Sequence, residues 1–128
     1  MMSATSPHLR LTSTVLGSPD PRALADFYRR LLGWQIRTDE PEWVTLGPPG
    51  GETRLSFQLE PHHVRPVWPA KPGEPQMTAH LDIAVDDLAA AVAHAEAAGA
   101  VLAEFQPQEE VRVFLDPDGH PFCLYVPG

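Results

Sequence analysis

The chain repeats itself. Asp20 to Gly33 reads D-P-R-A-L-A-D-F-Y-R-R-L-L-G, and Asp86 to Gly99 reads D-D-L-A-A-A-V-A-H-A-E-A-A-G. Each segment opens on Asp and closes on Gly, with a helical pattern between. Each follows an apolar stretch of strand character and precedes another. The glycines lie 66 residues apart in a chain of 128. Two copies of one supersecondary unit are implied, and two half-sheets built this way can enclose a site between them.

The local signals agree. Asp20 is a good N-cap, and Pro21 at the first helical position gives up no needed N–H. Leu24, Phe27, Tyr28, Leu31 and Leu32 form one apolar helix face, and Gly33 ends it. Strands are expected at Leu9–Gly17, Trp34–Asp39, Glu42–Gly47 and Arg54–Glu60. In the last, Leu55, Phe57 and Leu59 alternate with Ser56 and Gln58. The proline-rich stretch 61–76 reads as an ordered linker. In the second unit, a strand at Met77–Val85 leads to a helix over Asp87–Ala98, capped by Asp86. Strands at Ala100–Phe105, Val111–Leu115 and Pro121–Val126 follow, and Asp116-Pro-Asp-Gly119 marks a turn.

The order is strand, helix, three strands, twice. It predicts an α+β fold: two βαβββ modules forming a curved mixed sheet around a groove, with helices on the outer face. One domain spans residues 1–128, with module one at about 9–60 and module two at about 77–127.

Composition narrows the function. At 43% hydrophobic and 20% charged, the chain can bury a core. A net charge of −8 without a basic cluster argues against nucleic acid. A single cysteine forbids an intrachain disulfide, which fits a reducing compartment. The stretch Met1–Arg10 lacks an apolar signal core, and no run is long enough to span a membrane. A cytoplasmic location is the expectation.

The motifs Asp20…Phe27-Tyr28…Leu32-Gly33-Trp34, His80-Leu-Asp-Ile-Ala-Val-Asp86-Asp87-Leu88 and Asp116-Pro-Asp-Gly119-His-Pro-Phe-Cys123 together resemble the vicinal oxygen chelate superfamily. That superfamily includes glyoxalase I, bleomycin-resistance proteins and extradiol dioxygenases. Trp43-Val-Thr-Leu, Arg54-Leu-Ser-Phe-Gln58 and Val67-Trp68-Pro69 are similar to its glyoxalase-like domain subgroup. The resemblance implies one metal ligand per groove-facing strand, and carries these positions onto Ser13, Gln58, His80 and Cys123. Only His80 keeps a typical ligand chemistry. A hard-metal centre needs about three His or carboxylate ligands. The expectation is therefore no cofactor. Any divalent metal would fall to His80, Cys123 and Gln58, helped by Asp82.

His80 and Asp82 share a face on a regular strand, which makes them the candidate acid–base pair. Ligand-binding candidates are Ser13, Gln58, Trp68, His80, Cys123 and Tyr125. Tyr125 alternates with Cys123, and Trp68 sits in the linker that can cover the groove. Trp43 and Phe114 suit either groove or core. Cys123 suits a small buried thiol better than a nucleophile. The neighbours His62 and His63 point opposite ways if extended, so they make no shared metal site. Asp116, Asp118 and Gly119 resemble a fragment of a calcium loop, but their spacing speaks for a turn.

The resemblance implies a small-molecule binding protein with a degenerate metal site and a homodimer; the acidic charge and the aromatic groove candidates suit an aromatic or cationic ligand. The alternatives are a metal-dependent lyase, isomerase or dioxygenase, and a metal-free acid–base enzyme using His80 and Asp82.

Overall fold

A computed structural model describes residues 7–128, so part of the polar stretch Met1–Arg10 lies outside the described residues. Module one runs β1 (Ser13–Ser18), α1 (Pro21–Leu32), β2 (Gln35–Glu40), β3 (Trp43–Gly47) and β4 (Arg54–Leu59). Module two runs β5 (Leu81–Ala84), α2 (Leu88–Ala98), β6 (Val101–Leu102), β7 (Val111–Leu115) and β8 (Pro121–Tyr125). Each module forms its own four-stranded mixed sheet, ordered β1-β4-β3-β2 and β5-β8-β7-β6. In both, the first strand runs parallel to the last, and the other pairs are antiparallel. The fold is thus two matching sheets. Their edge strands β1 and β5 face each other across a cleft lined by Thr14 and Leu81.

Three strand ends differ from the sequence pattern, each for a hydrogen-bonding reason. The first strand starts at Ser13, because its partner β4 starts at Arg54; Leu9 and Leu11 stay exposed. The strand expected from Met77 begins only at Leu81, opposite Phe122 of β8. Residue 121, one step earlier in β8, is a proline and has no N–H to offer. The strand expected over Ala100–Phe105 shrinks to Val101–Leu102. Beyond it the Gln106 side-chain amide takes over the pairing: its oxygen accepts from Val113 N, and its nitrogen donates to the carbonyls of Ala103 and Val113. The second helix is capped by Asp87 rather than Asp86. The Asp87 carboxylate accepts from Ala90 N at 3.0 Å, and the helix starts at Leu88.

One core joins the modules, and α1 builds it. Phe27 and Tyr28 are fully buried. Tyr28 stacks on Phe57 of β4 at 5.6 Å, and Phe27 lies 6.0 Å from Phe122 of β8. Phe114 stacks on Phe122 at 5.7 Å, deep in this core. Such rings carry large buried areas and add specific pair energy. The two helices also exchange polar contacts: Arg30 donates to the Ala98 carbonyl, and His94 donates to the Leu31 carbonyl.

The turn between β7 and β8 carries the polar junction. The Asp116 side chain is completely buried. Its Oδ1 accepts from the backbone N–H groups of Asp118 and His120, and its Oδ2 accepts from the Tyr28 hydroxyl at 2.8 Å and from His120 Nδ1. Ser18 of module one donates to Asp118, while His63 and Arg65 of the linker donate to the carbonyls of Asp118 and Pro117. Module one, linker and module two meet at this turn.

Burial, and then the Asp116 charge, pushes the Tyr28 hydroxyl well above its ordinary 10.0. Folding therefore favours the neutral phenol. Its contribution is complete below about pH 10 and is lost as pH climbs through the raised value. Tyr28→Phe leaves Asp116 one donor short, and urea unfolding is expected to show a loss of about 1–3 kcal/mol at neutral pH. The deficit should shrink at strongly alkaline pH, where wild type alone has the buried Tyr28 phenol to ionise.

Candidate functional site

The face of module two opposite α2 carries a cavity of about 370 Å³. The parallel register sets Asp82 of β5 beside Cys123 of β8, and Val113 of β7 pairs with Cys123 from the other side. Tyr125 and Val111 form the next pair along. Because strand side chains alternate, Asp82, Cys123, Tyr125, Val111 and Val113 all turn to this face, and His80, one residue before β5, lines it with them. Linker residue Trp68 closes one side. Its indole stacks on His80 at 5.1 Å and meets Phe105 edge-on at 5.3 Å. The stretch Pro107–Gln108 supplies the remaining wall.

Four of the six expected ligand-binding residues come together here: Trp68, His80, Cys123 and Tyr125, with Asp82 beside them. Ser13 and Gln58 do not line this cavity. Ser13 shares a short hydrogen bond with Ser56 on the β1–β4 pair. Gln58 is exposed at the end of β4, opposite Trp43. Phe114 belongs to the core, and Trp43 lies on the module-one sheet away from the cavity. The aromatic wall is therefore Trp68 and Tyr125. Gln108, Val111 and Val113 also line it. The alternation that identified Cys123 and Tyr125 also runs through Val111 and Val113, so the pattern could have named those two; nothing in the sequence singles out Gln108.

The polar chemistry is concentrated at one end. His80 Nε2 lies 3.1 Å from Asp82 Oδ1. Nε2 faces the carboxylate, so Nδ1 is the ring nitrogen left for a ligand or a proton. His80, Asp82 and Cys123 each offer a donor atom within 4.8 Å of the others. The Cys123 thiol is buried, and that burial, followed by the Asp82 charge, raises its pKa. Cys123 is thus held as a neutral thiol, the less nucleophilic form.

A protein-family model described as glyoxalase-like domain matches residues 13–125. No curated protein matches the chain. Several solved structures do. One is a glyoxalase/bleomycin resistance protein/dioxygenase family enzyme from Burkholderia phytofirmans PsJN, 19% identical with a TM-score of 0.66, covering 88% of this chain and 94% of that one. Another is TnmS3, an antibiotic binding protein from Streptomyces sp. CB03234, 22% identical with a TM-score of 0.61, covering 99% and 100%. A glyoxalase-related enzyme from Fulvimarina pelagi is 21% identical with a TM-score of 0.66, covering 92% and 88%. At these identities the likenesses establish the fold.

The protonated thiol is directly testable. Iodoacetamide at neutral pH should alkylate native Cys123 more slowly than the same residue in the urea-unfolded chain. Asp82→Asn removes the nearby negative charge and should speed the native reaction. A native rate equal to the unfolded one would refute the assignment.

Proposed function

The chain belongs to the glyoxalase-like domain family, and from that premise we propose that it binds a small aromatic or cationic molecule in the module-two cavity. The observation that carries this reading is the cavity itself. Its walls are Trp68, Tyr125, Val111 and Val113, and its polar groups gather at His80, Asp82 and Gln108. Apolar, aromatic-lined pockets with a few placed polar groups hold planar small molecules. Exposed Asp82 and the net charge of −8 favour a positive ligand. The likeness to an antibiotic binding protein supports the same reading.

The fold family implies a metal, and the donors present fit its hard-ion version poorly. Ser13 and Gln58 lie outside the cavity, and the β8 position holds a thiol. Sulfur with imidazole suits softer ions than Mg, Mn or Fe. Our reading therefore assigns ligand binding to the cavity without a resident hard metal.

A second reading rests on the His80–Asp82 contact at 3.1 Å. Asp82 orients the ring, and Nδ1 takes a proton from a bound carbon or oxygen acid. It predicts solvent deuterium uptake by the bound molecule, abolished in His80→Ala. A homodimer belongs to the main reading. Exposed Val15, Leu59 and Gln58 on module one support it as surface for a second copy to cover.

A thermal-shift screen of planar aromatic cations tests the proposal. A ligand at one hundred times its Kd adds about 2.7 kcal/mol of stability. Trp68→Ala should weaken each hit by up to about tenfold, from lost stacking. Hits that ignore both Trp68→Ala and Tyr125→Ala would place the ligand elsewhere.

A further inference from the structure

The module-two cavity has a second polar margin, across the sheet from Asp82. The order β5-β8-β7-β6 puts Asp82 on the edge strand β5, and the loop 103–110, which leads from β6 into β7, at least two strands away. At the usual strand spacing that separation is about 10 Å. Cys123 and Tyr125 of β8, with Val111 and Val113 of β7, floor the space between. The loop places Gln108 on the cavity wall. Gln108 is exposed; its backbone carbonyl accepts from Arg112, while its side-chain amide bonds to none of the described residues. The loop is pinned at both ends. The Gln106 side chain fastens the start to Ala103 and Val113. Arg112 fastens the end: its Nη1 donates to the carbonyls of Glu109 at 2.6 Å, Val111 at 2.9 Å and Gln108 at 3.4 Å. Strand alternation turns Arg112 to the face opposite Val111 and Val113, so it holds the loop without lining the cavity.

We propose that Gln108, positioned by Arg112, determines the specificity of this cavity, and that the ligand is a planar aromatic cation with a neutral hydrogen-bonding group of carboxamide type at the end opposite its charge. The inference rests on the reading that the cavity holds an aromatic cation. The positive end goes to Asp82, the rings lie over the apolar floor, and the far end reaches Gln108. A carboxamide donates and accepts, and so does the Gln108 amide, so the two are complementary. An anionic group there would meet Glu109 and Glu110, the next two residues and both exposed, so a neutral group is the match. A loop already held by Arg112 spares the cost of ordering Gln108 when the ligand binds.

Isothermal titration calorimetry with two probes tests this: naphthalene-2-carboxamidine, and its derivative with a carboxamide at the far end of the same ring pair. Wild type should bind the carboxamide derivative about two- to tenfold more tightly, the net worth of one hydrogen bond. Gln108→Ala should erase that ratio and leave the affinity for the parent amidine unchanged. Arg112→Met should also shrink the ratio, whereas an Arg112 that served only stability would weaken both probes alike. Equal wild-type affinities, or a ratio that survives Gln108→Ala, would overturn the role of Gln108 while the cavity reading stands. If neither probe binds, the cavity reading fails and this inference falls with it.

Discussion

The buried Asp116 carboxylate is the constraint on which the rest of the structure depends. A charge with no exposure is tolerable only when its oxygens are fully engaged. Four donors do this, and they come from the turn itself, His120 and Tyr28 of the opposite module. Each donor is thereby placed. Tyr28 locks α1 against β8, the backbone donors shape the turn, and His120 is held in one tautomer. Losing any one leaves a buried charge short of a partner, a far larger penalty than a missing surface contact. This junction makes two modules one body, and it anchors the linker that carries Trp68.

The site follows from that anchoring. Strand register alone aligns Asp82, Cys123 and Val113, but alignment gives an open sheet face. The linker turns the face into a cavity by laying Trp68 over His80. The fold family's hard-ion chemistry draws on both sheets, whereas the cavity here draws on module two and the linker. In the function we propose, the apolar walls select the ligand and His80 with Asp82 orients it.

The helices and the module order were legible in the sequence because their signals are local. Asp20, Pro21, the spacing from Leu24 to Leu32 and Gly33 each act within one turn of the chain. His80, Asp82, Cys123 and Tyr125 were legible for the same reason, since alternation puts them on one face. What was not legible depends on partners far along the chain. The shortening of the first and fifth strands is set by where β4 and β8 begin. Gln106 replaces a strand because its amide finds the backbone of Val113. The Asp116 turn looked like a turn and is also the junction, since Tyr28 lies 88 residues away. The separation of Ser13 and Gln58 from the cavity is likewise tertiary.

A crystal structure with an aromatic cation bound tests the central claim most directly. The account predicts density against Trp68, Val113 and Tyr125, with the cationic group toward Asp82 and the β7–β8 turn unmoved. Density bridging Ser13 and Gln58 to His80 through a metal ion would contradict it.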